Sequence, residues 1–221
     1  MFSGKNRYIK SSKAFLFSLN SNVKMMSTKH PQYSAYNGAN YGPTFGGGHD
    51  LYIVNNCRHS RSSYTNLGHS YNVPSRFSSQ KRNLLAGSYN FYCAEYEVYY
   101  LTTESQRRKI KQDLINRHKQ HRRLSRTLKS SIIMKNKSQK LKTRLYDFIR
   151  GLSGQNKEWT KCFTASRHHY QSQDFHKHCD NKGPTIVLIS SGSHIFGGYN
   201  PSSWNCKYNY SEFVRFTQGY E

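Results

Sequence analysis

The sequence predicts an α+β fold, in which β-strands predominate and the helices are confined to one central stretch. Short apolar segments flanked by glycine, proline and asparagine lie in the first hundred residues and again near the C-terminus, and each is typical of a strand. Between them, over residues 105–152, apolar residues recur every three to four positions, as in amphipathic helices. Aromatic residues make up 14% of the 221 residues, and the large area that each can bury offsets the low apolar fraction of 35%.

The first hundred residues contain three segments with strand character. Residues 13–19 are almost wholly apolar and predict a buried strand. Residues 51–54 predict another, directly after a glycine-rich loop at residues 42–48. Residues 84–100 regain strand character, but the alternation of aromatic and apolar side chains changes phase within them. This change predicts a bulge or a tight turn near Ala94.

Two helical segments follow. Over residues 105–138, apolar side chains form one narrow stripe, and arginine and lysine occupy most of the remaining positions. A second amphipathic stretch covers residues 141–152. It ends at Gly151 and Gly154, as the C-terminus of a helix would.

The C-terminal part predicts a turn and a hairpin. Residues 180–184 carry the turn-forming types Asp, Asn, Gly and Pro. Residues 185–190 and 194–199 predict two strands. The Ser-Gly-Ser connection between them makes a β-hairpin the expected arrangement.

Positive charge is concentrated in the predicted helical region. The chain has a formal net charge of +23, and residues 101–150 hold 16 Lys and Arg against 3 Asp and Glu, a net +13. This stretch is either a solvated linker or a surface for an acidic protein, a membrane or nucleic acid. Tyrosine and phenylalanine are nearly absent from it, so bases have no platform to stack on. The candidates for contact with an anionic surface are Arg107, Arg108, Lys109, Arg122, Arg123 and Arg126.

The cysteines and the N-terminus bear on the compartment. The five cysteines are odd in number and widely spaced, which argues against a disulfide framework or a zinc module and fits a reducing compartment. We therefore expect an intracellular, cytoplasmic protein. The acid-free stretch before Asp50 also resembles a mitochondrial targeting segment, but a core strand explains it better. No apolar run approaches the roughly 18 residues of a membrane span.

The glycine run at residues 46–48 resembles a phosphate-binding loop. However, it precedes a predicted strand rather than a helix, and no Gly-Lys-Ser/Thr follows it. The backbone geometry that holds a phosphate is therefore not predicted. Close packing of the backbone is the favoured interpretation of these glycines.

Several residues are of a type that can carry chemistry. The metal-ligating types His176, His178, Cys179 and His194 have no second pair at a defined spacing, so a structural role is favoured over a zinc site. A nucleophilic Cys179 or Cys162 would need a lowered thiol pKa and an orienting partner, and the sequence indicates neither. Glu95 and Glu97 alternate along a strand, where we expect them to face solvent. The sequence thus predicts no catalytic residue, no metal site and no cofactor.

Longer motifs resemble the TLDc domain family. One set is Gly42-Pro-Thr-Phe-Gly-Gly-Gly-His-Asp50, with the apolar segment 14–19 before it and Glu95-Tyr-Glu-Val98 after it. The other is Cys179-Asp-Asn-Lys-Gly-Pro-Thr185, followed by Phe196-Gly-Gly-Tyr199. The resembling segments cover roughly three quarters of the chain. The family-motif positions are Phe45, Gly46, Gly47, Gly48, His49, Asp50, Phe175, His176, Cys179, Asp180, Gly183, Phe196, Gly197 and Gly198.

The resemblance implies a fold and an inverted order of its parts. The family's fold is a sandwich of two antiparallel sheets with helices around it. Residues 8–100 are similar to the C-terminal half of a TLDc domain and residues 139–205 to its N-terminal half, with 101–138 as a basic helical linker and 206–221 as a tail. The chain would then be a circular permutant, and a linker of about 38 residues is long enough to let the halves meet in one molecule. The alternatives are halves that pair between chains in a swapped homodimer, and an incomplete piece of a tandem TLDc array without independent function.

The resemblance also implies a function. TLDc proteins are associated with the oxidative-stress response, or oxidation resistance, and with binding of the vacuolar proton pump (V-ATPase), and they have no agreed catalytic residues. We therefore expect a non-enzymatic protein-binding module with subunits of that pump as partners. The alternatives are a thiol-dependent enzyme that handles peroxide through Cys179 and His176, and binding of an anionic surface by the basic segment.

Overall fold

Two antiparallel β-sheets face each other in the computed structural model, which describes residues 7–103, 105, 106, 108, 130–149, 152 and 157–204. In spatial order, the first sheet contains β1 (Arg7–Ile9), β4 (Ala35–Asn37), β5 (Thr44–Phe45), β6 (Leu51–Tyr52), β7 (Ser63–Thr65) and β8 (Asn90–Phe91). The second sheet contains β10 (Lys157–Thr164), β9 (Glu95–Thr103), β11 (Thr185–Ser191), β12 (His194–Asn200), β2 (Phe15–Ser18) and β3 (Val23–Met26).

The described part also contains helices α1 (Gln139–Ile149) and α2 (Ser172–Cys179), and short 3₁₀ turns at Pro31–Tyr33, Ser75–Gln80 and Ala165–Arg167. Two six-stranded antiparallel sheets with a few helices confirm the predicted α+β class and the sandwich arrangement. None of the helices among the described residues is long and apolar enough to cross a membrane.

An apolar core lies between the two sheets. Phe91 of the first sheet meets Phe196 of the second edge to face, with 5.4 Å between ring centroids. Leu16, Val98 and Val187 of the second sheet are fully buried in the same core. Burying one side chain of this size stabilises the fold by about 1.5–3 kcal/mol, so this core joins the sheets firmly.

A second core lies on the outer face of the second sheet, where α1 covers it. Leu145 and Ile149 of α1 are buried against this face, and the rings of Phe148 and Phe17 lie 5.6 Å apart. The second sheet is therefore covered on both sides. The amphipathic helix predicted over residues 141–152 is confirmed over residues 141–149.

Strands from the N-terminal and C-terminal regions are interleaved in the second sheet. β9 lies between β10 and β11, with Val98 opposite Val187. β12 pairs with β2, with Gly198 opposite Leu16. The region before residue 104 and the region after residue 156 thus complete this sheet together within one chain.

The phase change near Ala94 marks the passage of the chain from one sheet to the other. β8 ends at Phe91 in the first sheet, and β9 begins at Glu95 in the second, where the Ala94 N–H donates to the Ser190 carbonyl at 2.9 Å. The strand predicted from residue 84 begins later than expected, because residues 81–87 form turns. The predicted hairpin is confirmed as β11 and β12.

Glu95 and Glu97 do not face solvent, so that prediction is wrong. β9 is an inner strand of a sheet that is covered on both faces, and both carboxyl side chains are buried. Alternation along a strand indicates a solvated face only when that face is left uncovered.

The predicted helical linker is only partly described. Residues 101–103 are the end of β9, residues 105, 106 and 108 are helical, and residues 130–138 form turns instead of a helix. Ser131 and Ile132 donate hydrogen bonds to Glu97, which fixes the turns against the sheet. Residues 109–129, which include most of the predicted apolar stripe, lie outside the described residues.

Candidate functional site

Asp50 anchors the glycine-rich loop to a neighbouring loop. Its carboxylate is fully buried and accepts hydrogen bonds from three backbone N–H groups, those of Gly68 at 2.8 Å, His69 at 3.1 Å and Ser70 at 2.9 Å. Burial raises the pKa of Asp50, and the backbone donors oppose that shift. With its oxygens held in this way, Asp50 joins two loops.

The glycines before Asp50 are needed because the backbone packs closely there. Gly46 has φ +89°, and a Cβ at this position would lie 2.0 Å from Oδ2 of Asp50. A Cβ on Gly47 would lie 2.9 Å from atoms of Tyr33 and His69. The Gly47 N–H donates to Oγ of Ser70 at 2.9 Å. The backbone of this glycine run therefore packs closely against its neighbours, as the sequence favoured.

His49 presents its ring to the outer face of the first sheet. Its backbone has φ +50°, and its ring packs between those of Tyr41 and Tyr52, at 5.6 Å from each. Nδ1 lies 3.0 Å from the hydroxyl of Tyr64. Burial lowers the pKa of His49, so the imidazole is held neutral near pH 7.

His176 ties α2 to the loop that precedes β5. Its Nδ1 lies 2.9 Å from Oδ1 of Asp180, and its Nε2 lies 2.9 Å from the carbonyl oxygen of Gly38 and 3.0 Å from that of Tyr41. Because carbonyl oxygens only accept, Nε2 carries the proton and donates it. His176 therefore links the C-terminal region to the N-terminal region through Nε2, while Asp180 orients its ring through Nδ1.

Cys179 is joined to Cys162 by a disulfide bond that connects α2 to β10, with 5.8 Å between the Cα atoms. The expectation that the cysteines stay unpaired is wrong for these two, because the fold brings residues 17 positions apart into contact. Neither sulfur is a free nucleophile in this form. Cys57 and Cys93 are buried free thiols, and burial raises the pKa of Cys93 well above its usual value.

The remaining motif positions hold the two sheets together. Phe45 packs edge to face on Trp204 at 5.6 Å, and Trp204 packs on Phe175 at 5.5 Å. A Cβ on Gly198 would lie 2.6 Å from the Phe45 ring. A Cβ on Gly197 would lie 1.8 Å from the carbonyl oxygen of Val187. Phe196 lies in the same core, and Gly183 has φ +85° in the turn before β11.

The candidate metal ligands are not brought together. His178 stacks on His168 at 4.2 Å, and its Nδ1 lies 2.7 Å from the carbonyl oxygen of Asp174. His194 lies against Gly87, where an added Cβ would meet its ring at 2.5 Å. Among the described residues, no three His, Cys, Asp or Glu side chains are placed to hold a metal ion together.

The structure reveals one charged cluster that the sequence pattern does not indicate. Glu97 is fully buried and accepts from the Lys161 ammonium at 2.7 Å, the Ile132 N–H at 3.0 Å and the Tyr99 hydroxyl at 3.0 Å, and also from the hydroxyl of Ser131. The only indication in the sequence is that Glu97 lies within a strand whose aromatic side chains fall on both faces. Of the anionic-surface candidates, Arg108 is exposed, and Arg107, Lys109, Arg122, Arg123 and Arg126 lie outside the described residues.

The sequence profile of the TLDc domain matches residues 2–102 and 127–214 of the chain, which is well over half of it. No curated protein and no solved structure matches the chain. The matched residues include both regions that complete the second sheet. The inverted order of the two halves and their boundaries stay predictions.

Proposed function

Because the chain belongs to the TLDc domain family, we propose that it is a non-enzymatic interaction module of the TLDc type that binds the vacuolar proton pump. The TLDc domain family is generally linked to protection against oxidative stress, and we include that link in the proposal. The pump as partner is the finer part of the proposal. A cytoplasmic site of action is part of the same proposal.

The observation that carries the proposal is that the motif residues bond within the fold. Asp50 is used by three backbone N–H groups, and His176 bonds a carboxylate and two carbonyls. A general base or acid must reach a substrate proton, and these groups are directed into the fold instead. Residues that join loops and sheets support a scaffold whose surface is recognised by a partner.

The competing thiol enzyme has less support from the geometry. Cys179 is fully buried and bonded to Cys162, and a peroxide-reactive thiolate is typically exposed and next to a positive charge. His176, the suggested partner, is directed at Asp180 and the 38–41 loop. The interaction module therefore remains the function that we propose.

The proposal is tested by capture of the pump on the immobilised full-length chain. Detergent-solubilised vacuolar membranes are passed over the chain, and pump subunits are quantified by mass spectrometry. We expect enrichment of peripheral pump subunits on the wild-type chain. The matched control is Gly197→Val, which keeps the composition and charge but places a side chain against the Val187 carbonyl, so that it disrupts the second sheet. Equal recovery of pump subunits on both chains, or no enrichment on either, would contradict the proposal.

A further inference from the structure

A row of tyrosines crosses the outer face of the first sheet. Tyr36 of β4 lies opposite Tyr8 of β1, and Tyr52 of β6 lies opposite Tyr64 of β7. We call Tyr8, Tyr36, Tyr41, Tyr52, Tyr64 and Tyr89 the tyrosine face. Successive rings in this order are 5.0 to 5.6 Å apart between centroids. The six side chains form one continuous aromatic strip.

The tyrosine face is separate from both apolar cores. The side chains that alternate with it, such as Phe45, Leu51 and Phe91, point into the core between the sheets, and none of the six tyrosines belongs to either core. Tyr8 is 40% exposed, and Tyr41, Tyr52, Tyr64 and Tyr89 are partly exposed. Tyr64 and Tyr89 stack face to face, the other neighbouring rings meet at inclined or edge-to-face angles, and Tyr36 is buried. These contacts hold the exposed rings in place before any ligand arrives.

Charge is distributed asymmetrically around this face. Over residues 7–103 the acids are Asp50, Glu95 and Glu97, and all three are buried. The same range has ten lysines and arginines, and all ten are exposed. Arg82 lies over the Tyr89 ring, 5.4 Å from its centroid, and Arg61 lines an open hollow beside Tyr89. The Tyr89 end of the aromatic strip is therefore cationic, and the three acids of residues 7–103 are buried away from it.

The tyrosines themselves add no negative charge at physiological pH. Burial and the neighbouring phenols raise the pKa of Tyr52 to about 12, and raise the pKa of Tyr8 and Tyr64 as well. These hydroxyls are therefore neutral, and two of them already bond within the fold: that of Tyr8 donates to the Gly47 carbonyl at 3.1 Å, and that of Tyr64 lies 3.0 Å from Nδ1 of His49. A polyanion near this face meets neutral rings and positive side chains.

We propose that the tyrosine face binds single-stranded nucleic acid. Fixed aromatic rings give unpaired bases surfaces to stack on, and Arg61 and Arg82 beside Tyr89 attract the phosphates. Both parts are needed, since a charged surface alone would bind any polyanion. A duplex is a poorer ligand because its bases are already stacked inside the helix. The face is distinct from the basic segment at residues 105–138, in which aromatic residues are nearly absent.

The first test measures the binding of fluorescein-labelled 20-nucleotide oligouridine and oligothymidine to the full-length chain by fluorescence anisotropy. Replacement of one stacking ring, in Tyr8→Ala or Tyr89→Ala, is expected to weaken binding roughly tenfold. Tyr8→Phe keeps the ring and is expected to bind like the wild type. The matched control is Tyr146→Ala, because Tyr146 is 65% exposed on α1, which covers the other side of the sandwich. Unchanged affinity in both alanine variants would overturn the proposal.

Two competitors separate stacking from charge. An abasic phosphate strand of the same length and an oligoglutamate peptide are each added to the preformed complex. We expect each of them to compete at least tenfold less well than unlabelled oligouridine. Equal competition by the abasic strand would mean that charge alone is responsible, and equal competition by the peptide would mean that acidic proteins are the ligand. Either result would refute the proposal.

Photo-crosslinking makes the test independent of how well the variants fold. Oligouridine that carries 5-bromouridine is irradiated with the wild-type chain, and the attached residues are identified by mass spectrometry. Adducts on the tyrosine face would support the proposal. Adducts confined to residues 105–138 would show that the basic segment binds instead. Capture of the proton pump plays no part in these measurements, so the two proposals can fail separately.

Discussion

Glu97 holds a buried negative charge at the centre of the second sheet. Its carboxylate receives the ammonium of Lys161, a backbone N–H and two hydroxyls, so the charge is both paired and hydrogen-bonded. A buried ion pair of this kind adds little net stability compared with apolar side chains of the same size, but breaking it leaves a charge without its partner. The pair thus specifies which loop lies on this part of the sheet.

We expect Glu97→Ala to lower the free energy of unfolding by about 3–5 kcal/mol, because Lys161 is left almost buried without its counter-charge. Urea denaturation followed by circular dichroism measures this change. Asp147→Asn, at an exposed acid on α1, serves as the control and is expected to change stability by less than about 0.5 kcal/mol. A Glu97→Ala chain with wild-type stability would mean that the cluster is not formed in solution.

At the scale of elements, the disulfide between Cys162 and Cys179 fixes α2 to β10. It closes a loop over a sequence separation of 17 residues, for which the loss of chain entropy in the unfolded state is worth about 3 kcal/mol. His168 and His178, which stack on each other, provide no comparable covalent connection. The stability of the fold therefore depends on the oxidation state of this pair.

Reduction of the disulfide is expected to lower the melting temperature by roughly 6–12 °C, the effect of about 3 kcal/mol on a chain of this size. The measurement is thermal melting with and without dithiothreitol. A Cys162→Ser/Cys179→Ser double variant is the control, since it should melt at the temperature of the reduced wild type and respond no further to the reductant. If dithiothreitol leaves the wild-type melting temperature unchanged, the bond contributes nothing to stability.

The elements that could be predicted are those whose own sequence shows a pattern. Residues 13–19, the hairpin at 185–199 and the helix that begins at Gln139 have apolar periodicity and turn chemistry in their own sequence. The two-residue strands β5, β6 and β8 are too short to show a period, and only their neighbours define them. Residues 130–138 form turns instead of the expected helix, and the distant carboxylate of Glu97 accepts the Ile132 N–H there.

The candidate site shows the same division. The packing role of the glycines at 46–48 follows from their place before a strand. The tyrosine face could not be deduced in this way, because its members come from six separate strands and loops whose register is set by the whole sheet. The Cys162–Cys179 bond was likewise not expected from spacing, since both cysteines meet only after α2 folds back on β10.

At the scale of the whole molecule, neither terminal region contains the complete second sheet. Residues before 104 supply β2, β3 and β9, and residues after 156 supply β10, β11 and β12, in one interleaved sheet. Removing either set exposes unpaired strand edges on the other. The two regions must therefore fold and unfold together.

We expect the purified chain to be a monomer at all concentrations tested and to unfold in a single cooperative transition. Light scattering after size exclusion at several concentrations measures the mass, and calorimetry with circular dichroism measures the cooperativity. A mass of 25.8 kDa throughout would agree with completion of the sheets within one chain. A persistent dimer would favour exchange of the halves between chains, and a broad, non-cooperative melt would favour an incomplete domain.

The cluster around Glu97 also determines how far the length and charge of the basic segment can vary. The segment leaves the sheet after Thr103, the end of β9, and returns at Ser131, which bonds Glu97 on the same strand. Glu97 lies six residues before Thr103, so the two attachment points are only about 20 Å apart at 3.3 Å per residue. A connection between neighbouring fixed points can lengthen or shorten at small energetic cost, about 0.6 kcal/mol for each doubling. Insertions, deletions and changes of charge can accumulate between them while the sandwich stays intact.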